Sequence, residues 1–259
     1  MATRTQSKNR DQLQRMNLMI QFKKWLERQR FLPSRAGILV NRDFIIRRGL
    51  MREVGRMAPH FSGRILDFGC GEKPYESLFN VQKYVGVDIE VSGHASEKKK
   101  ADFYFRDTTL PFADAEFDGA LSTEVFQSVP DPAAMLRELA RVLKSGAPLM
   151  LTYPFAWEEV EMPYDVARYT SVGLHRFLEP AGFVVEQTIK TPTYIETITQ
   201  LFTLWLSRTL LPWRKRSWRL ISTALVIAPI NFVGILLGRL LPNDPRYFHN
   251  CVILARKRA

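Results

Sequence analysis

The stretch "ILDFGCGEKPY", Ile65 to Tyr75, decides the fold of this chain. A short apolar run with an acid near its end leads into a loop in which Gly69 and Gly71 flank a cysteine. Glycine has no Cβ atom, so the backbone of such a loop can touch a ligand directly. In an open α/β sheet, ligands bind beyond the carboxyl ends of the strands. The stretch therefore predicts a buried strand that ends in a ligand-binding loop.

A second acid indicates which kind of ligand the loop binds. Asp88 ends the next apolar run, "YVGVDI", 19 residues after Gly69, where an acid commonly holds ribose hydroxyls. The third glycine of a dinucleotide fingerprint is absent, and Lys73 and Pro74 stand there instead. Proline suits the first turn of a helix that begins at once. We therefore expect a nucleoside without a pyrophosphate, and S-adenosylmethionine fits that description.

Strands and helices alternate after residue 64. Apolar runs predict further strands, and Asp131 followed by Pro132 predicts a capped helix that runs to Lys144. Buried strands joined by helical crossovers indicate a parallel sheet covered on both faces. The strand runs are "ADFYF", "FDGALST", "PLMLTYPF", "FVVEQTIK" and "HNCVILARK".

These motifs, in this order and spacing, resemble the class I S-adenosylmethionine-dependent methyltransferases, specifically the type 11 branch. The resemblance covers roughly residues 64–183 and includes "LPFADAEFDGALSTEVFQSVPDPAAMLRELARVLKSGAPLMLTYPF". It implies an α/β fold with a Rossmann-like, mostly parallel seven-stranded sheet and helices on both faces. We expect a basic helical extension over 1–60 and a methyltransferase domain over 61–259, with an apolar helical insertion at about 194–242 before the last strand.

The resemblance also implies the cofactor-binding residues. The two glycines would pass under the methionine moiety, and the acid of the first strand would lie near its amino group, through water. The acid of the second strand would bind ribose, and the isoleucine after it would pack on adenine. A later carboxylate would meet the adenine amino group, although a turn or helix-cap role is the alternative for it. In order, these residues are Gly69, Gly71, Asp67, Asp88, Ile89 and Asp107.

The acceptor side departs from the branch pattern. Ser128 and Val160 stand where histidines are usual, so the pocket loses candidate bases. A base is needed only if the nucleophile must lose a proton. For Asp165 and Arg168, an ion pair that braces the loop is an equal alternative. The candidates for substrate orientation or base are Glu124, Tyr153, Tyr164, Asp165 and Arg168.

The charge of the chain is concentrated at its start. The 259 residues carry a net charge of +11; residues 1–64 hold 15 Lys and Arg against 4 Asp and Glu, and the remainder holds 22 of each. Such an arm could meet an anionic membrane surface, nucleic acid or an acidic partner, or form a solvated surface. Two cysteines and four histidines without ligand spacing predict no metal. The first residues lack a secretory apolar run, so a cytoplasmic location is expected.

The insertion is the most apolar part of the chain. Leu220 to Gly238 is a run of 19 uncharged residues, long enough to span a bilayer. A single crossing would separate the last strand from its sheet, and Pro229 and Asn231 weaken a spanning helix. Three hypotheses remain: docking in the membrane interface, a lid over an apolar substrate, or buried core. Trp205, Trp213, Trp218 and the basic run at 214–216 suit the interface.

The sequence thus predicts methyl transfer to a small or lipid-like acceptor, such as a lipid-linked molecule, at the inner face of the membrane. One rival hypothesis is a catalytically silent relative that binds or assembles at a membrane. Another is a nucleic-acid methyltransferase, but "STEV" stands where such enzymes carry an N/D-P-P-Y type of motif, so nucleic acid is disfavoured.

Overall fold

The computed structural model describes the backbone of residues 2–90, 99–211 and 216–259, and side chains from residue 14 onward within these ranges except that of Arg216. Trp213 and the side chains of the basic run at 214–216 lie outside the described residues.

Seven strands form one sheet, in the order β3-β2-β1-β4-β5-β7-β6. All neighbours pair in parallel except β7, which runs antiparallel between β5 and β6. The mostly parallel seven-stranded sheet is therefore confirmed. The strands are β1 Arg64–Phe68, β2 Lys83–Ile89, β3 Phe103–Phe105, β4 Gly119–Thr123, β5 Pro148–Pro154, β6 Phe183–Thr191 and β7 Asn250–Lys257.

Helices precede, connect and interrupt the strands. Among the described residues, the predicted N-terminal extension contains two α-helices, and the predicted insertion contains three more, the last two joined by a π-helical segment, Thr223–Ile227. Asp131 caps α3 by accepting from the backbone N–H of Ala134 at 2.9 Å, with Pro132 in the first turn. The helices are α1 Ala2–Gln29, α2 Phe44–Met57, α3 Pro132–Val142, α4 Ser171–Leu178, α5 Tyr194–Thr209, α6 Arg216–Ser222 and α7 Ala228–Leu240.

The core lies on both faces of the sheet because side chains alternate along each strand. On one face, Leu66 and Leu149 pack with residues of α3 and α4. On the other face, Ile65 and Leu121 pack with residues of α2 such as Leu50. The second helix of the N-terminal extension therefore covers one face of the sheet.

The helix expected directly after Pro74 is absent. Residues 72–75 form turns, and only a single 3-10 turn follows at Glu76–Leu78. Lys73 adopts a positive φ of 52°, which a right-handed helix cannot include. Its ammonium group binds the Asp102 carboxylate at 2.6 Å, beside the start of β3. This expectation was wrong because the loop is anchored to the next strand pair and does not open a helix.

Candidate active site

A cavity of about 820 Å³ opens at the edge where the parallel strands end. One half is lined by the glycine loop and by the residues that end β2 and follow β3. The other half is lined by residues that follow β4, by Trp157 and His249, and by residues between 30 and 47. The lining therefore joins the expected cofactor loop to a second compartment in one continuous space.

The glycine loop has the backbone conformation that its sequence predicts. Gly69 and Gly71 have φ angles of +71° and +49°, which L-residues rarely adopt. A Cβ atom on Gly69 would overlap the side chain of Val125, whereas one on Gly71 would meet nothing within 4 Å. The backbone N–H of Gly71 donates to Asp88 Oδ2 at 2.8 Å, so the loop and the carboxylate at the end of β2 form one unit.

Asp88, Ile89 and Asp107 all line the cavity, as the resemblance implied. The ammonium group of Lys99 lies 2.9 Å from Asp88 Oδ1 and also donates to the carbonyl of Ile89. A ribose that binds to Asp88 would therefore share this carboxylate with Lys99, since a carboxylate offers about four acceptor sites.

Asp67 lies beneath the loop and is not among the lining residues of the cavity. It is buried, and its Oδ2 accepts from the Tyr84 hydroxyl at 2.7 Å. Its Oδ1 has no hydrogen-bond partner among the residues that the structure describes. Burial raises the pKa of Asp67 to about 7. A carboxylate oxygen without a partner at this depth is suited to a bridging water, and a water-mediated contact of Asp67 with the cofactor stays a prediction.

Of the five acceptor-side candidates, Glu124 alone is among the described lining residues of the cavity. Its Oε1 accepts from Thr152 Oγ1 at 2.8 Å and from Asn250 Nδ2 at 2.7 Å. Burial raises the pKa of Glu124, which the two hydrogen bonds and nearby Arg47 partly oppose. Its φ of +59° directs the chain away from β4 at this point.

The other four candidates lie elsewhere. Tyr153 points to the α4 face of the sheet, where it is fully buried against Tyr169, because side chains alternate along β5. Asp165 and Arg168 form a bidentate pair with distances of 2.5 and 2.6 Å. The pair also binds the backbone of residues 158 and 160 and so braces the loop. Tyr164 lies on the exposed part of that loop.

Residues between 30 and 47 form a wall of the cavity, which was not predicted from the sequence. Phe31, Ile46 and Arg47 all line it, and the Arg47 guanidinium lies 4.8 Å from the centre of the Phe31 ring. Burial opposes the charge of Arg47, but Tyr75, Asp43 and Glu124 favour it, and its pKa is raised. In contrast, none of the described residues of the 194–242 insertion lines the cavity. The described part of the insertion therefore does not cover the cavity in this conformation.

His249 was also missed as a site residue, because it was assigned to the last strand. It directly precedes β7, is 2% exposed and lines the cavity. Since β7 runs antiparallel to β5, its first residues lie at the edge where β5 ends. That topology was the signal that could have identified His249 as a site residue.

Comparison with known proteins assigns the family. Residues 41–188, more than half of the chain, match a family model described as a methyltransferase domain. The chain belongs to the class I S-adenosylmethionine-dependent methyltransferases. This confirms the resemblance and the enzyme prediction; the type 11 branch stays a prediction.

Two fungal relatives are similar to this methyltransferase over part of their length. An O-methyltransferase of Aspergillus nomiae is 32% identical over 134 residues, which are 46% of this chain and 60% of that protein. An O-methyltransferase of Penicillium expansum is 30% identical over 159 residues, which are 52% of this chain and 58% of that protein. The methyltransferase thus spans less than two thirds of the length of these relatives.

Solved structures support the fold. A SAM-dependent methyltransferase from Archaeoglobus fulgidus has a TM-score of 0.50 at 18% identity, with 80% of this chain and 93% of that chain covered. A geranyl diphosphate methyltransferase in complex with SAM has a TM-score of 0.51 at 13% identity, with 80% and 84% covered. At such identities the likeness shows the fold alone.

S-adenosylmethionine is the cofactor of the methyltransferase, and the residues present fit it. The glycine loop leaves room for a ligand against the backbone, Asp88 offers a carboxylate for hydroxyl groups, and Ile89 offers an apolar surface. When bound, the cofactor supplies a methyl group on a sulfonium with a neutral leaving group. The chain's own residues then mainly position the acceptor. Among the described residues, no group of three or more His, Cys, Asp or Glu could hold a metal ion.

Proposed function

We propose that this methyltransferase methylates a hydroxyl group of a small, largely apolar or lipid-like acceptor at a membrane surface. The observation that carries the proposal is the second half of the cavity, which is continuous with the cofactor half and rich in apolar side chains. Phe31, Ile46, Met135, Trp157 and Val160 contribute to this lining. An apolar acceptor would bury its surface there, in reach of a methyl group held by the glycine loop.

The names of the relatives support oxygen as the methylated atom. Two relatives at 30–32% identity are O-methyltransferases. Oxygen also suits this cavity, because a hydroxyl can donate a hydrogen bond to the buried Oε1 of Gln127, which accepts from none of the described residues.

The insertion supports the membrane surface. Thr199 lies against Gly234 and Thr203 bonds Asn231 at 3.3 Å, so α5 and α7 form an antiparallel hairpin. Its inner face is polar: Gln200 accepts from the backbone N–H of Ile45 at 3.2 Å. Its outer face is apolar, with exposed Ile198, Phe202, Trp205, Trp218, Ile221, Leu225, Phe232, Val233, Leu236, Leu237 and Leu240. This polarity is the reverse of a water-facing hairpin and suits insertion into a bilayer surface.

The length and composition of the 194–242 segment agree with a hairpin that enters only one surface of the membrane. Ser217–Leu240 is the one helix among the described residues that is long and apolar enough to cross a membrane, and a third of its most apolar window is buried in the protein. However, β6 before the insertion and β7 after it are paired neighbours in the sheet. A hairpin that enters and leaves the same membrane surface keeps both strands on one side.

The first test is transfer of a tritiated methyl group from S-adenosylmethionine to a panel of phenols, long-chain alcohols and lipid extracts. We expect label in an extractable apolar product. Asp88→Ala is the matched control, and we expect it to bind S-adenosylhomocysteine about 10- to 100-fold more weakly in calorimetry, since a hydrogen bond to a charged group contributes about 1.5–3 kcal/mol. Label found only in nucleic acid or protein would reject the acceptor class.

The second test is sedimentation with vesicles that contain phosphatidylglycerol. Replacing Phe202, Leu225 and Phe232 by Ser should weaken binding at least tenfold, since each apolar side chain withdrawn from the bilayer loses roughly 1–3 kcal/mol. The matched control replaces the exposed apolar residues Met162, Val172 and Val184, which lie outside the insertion. Equal binding by both triple variants would contradict docking through the hairpin.

A further inference from the structure

A hydrogen-bonded chain of three side chains, Glu124, Asn250 and His249, joins two residues that line the cavity. Asn250 Nδ2 donates to Glu124 Oε1 at 2.7 Å, which fixes the amide with its oxygen on the other side. That oxygen contacts His249 Nδ1. Because an amide oxygen can only accept, Nδ1 must carry the proton, and Nε2 must carry a lone pair.

The lone pair of His249 Nε2 is unused. Nε2 is buried without a hydrogen-bond partner within the described part of the chain, and His249 lines the cavity. Gln127 lines it too and is 5% exposed; its Nε2 donates to the carbonyl of Glu124 at 2.6 Å, and its Oε1 is likewise unpartnered among the described residues. Buried acceptors without donors are costly, so two in one cavity indicate a ligand that donates hydrogen bonds.

We propose that His249 is the general base of the reaction, held in the required tautomer by Asn250 and Glu124, and that Gln127 helps to orient the acceptor hydroxyl. This inference rests on the proposed function, since a hydroxyl acceptor brings a proton that must leave. It also explains why the enzyme dispenses with histidines at positions 128 and 160. The imidazole comes from the end of the chain instead.

When bound, the cofactor would supply the methyl group. The acceptor oxygen would form a bond to the methyl carbon as the carbon–sulfur bond breaks, with its electron pair remaining on sulfur. The hydroxyl proton passes to Nε2 of His249, whose positive charge is stabilised through Asn250 by the Glu124 carboxylate. The proton leaves to solvent when the product is released, which restores the neutral imidazole.

The electrostatics keep the His249 ring neutral, so that its Nε2 lone pair is available. Burial lowers the pKa of His249 to about 3; the hydrogen bond with Asn250 opposes this effect, and the positive charges of Arg47 and Arg168 add to it. The ring is therefore neutral at any ordinary pH. It can still act as a base, because the proton on the attacking oxygen becomes strongly acidic as the new bond forms.

The kinetic test compares His249→Gln with His175→Gln, a histidine outside the cavity lining. For His249→Gln we expect kcat for the best panel acceptor to fall at least about 100-fold while calorimetric binding of S-adenosylhomocysteine changes less than about twofold. His175→Gln should match the wild type in both. Turnover of His249→Gln within about threefold of the wild type would overturn the proposal.

The second test needs no acceptor. Nitrogen-15 NMR of the histidine rings in the unmodified enzyme should show His249 as the neutral Nδ1–H tautomer, and Asn250→Ala should populate both tautomers. An Nε2–H tautomer in the wild type would overturn the proposal even if the kinetic variant fails to fold. If the enzyme binds the cofactor but methylates no compound on the panel, the proposed acceptor class is rejected. The kinetic comparison then has no substrate, and the tautomer of His249 is the remaining test of this proposal.

Discussion

At the scale of single residues, the buried carboxyl group of Asp67 makes the stability of the fold depend on pH. Its pKa is about 7 in the folded protein because of burial, against about 3.9 in an unfolded chain. The folded state therefore favours the protonated acid. Stability from this group is fully present below the unfolded pKa and is lost as the pH rises through about 4 to 7.

Asp67→Asn should remove that dependence, since an amide cannot ionise and its oxygen can still accept from Tyr84. We expect the variant to gain stability relative to the wild type when the pH is raised from about 5 to 8. The measurement is the urea midpoint of both proteins at each pH. Asp107→Asn, at an exposed carboxylate, is the control. A constant difference between Asp67→Asn and the wild type across this range would show that Asp67 is not desolvated.

At the scale of elements, the loop after β1 contains two glycines, Gly69 and Gly71, which have similar φ angles and different surroundings. Gly69→Ala adds both backbone strain and an overlap with Val125, whereas Gly71→Ala adds strain alone. We expect Gly69→Ala to lower the free energy of unfolding by about 1–3 kcal/mol more than Gly71→Ala does, which is the range for overpacking a well-packed site. Thermal unfolding of the two variants checks this. An equal loss would mean that Val125 moves aside freely.

Element order and type were largely predictable from apolar runs and punctuating residues, because most of the strands are short, buried and bounded by turn residues. The residues predicted for the cofactor half came from the same local signals together with the family resemblance, and all of them except Asp67 line the cavity. The acceptor half was not predicted, because His249 and Arg47 reach the cavity through tertiary packing and no motif in the sequence marks them. Tyr153 was misplaced for a related reason. All seven residues of β5 are buried, so its sequence shows no alternation that assigns a face.

At the scale of the whole molecule, two separate parts of the surface suit an anionic membrane: the apolar hairpin and the first helix. Every side chain from residue 14 to 24 in α1 is exposed, including Leu18, Met19 and Phe22. Firm attachment to the body begins near Gln29, whose carbonyl accepts from the Asn41 side chain at 2.7 Å. The helix thus adds charge and apolar surface with little contribution to the fold.

Removal of residues 1–24 should therefore separate docking from stability. The segment contains six Lys and Arg and one Asp, so its loss lowers the net charge by five, from +11 to +6. We expect binding to phosphatidylglycerol vesicles to weaken at least about tenfold at low salt, since each cation near such a surface contributes about 1 kcal/mol. Binding to neutral vesicles, which depends on the hairpin, should change much less. The melting temperature should stay within about 2 °C, because exposed side chains contribute little to stability. A large fall in melting temperature would instead show that α1 packs against the enzyme, and unchanged binding to anionic vesicles would leave the hairpin as the sole membrane contact.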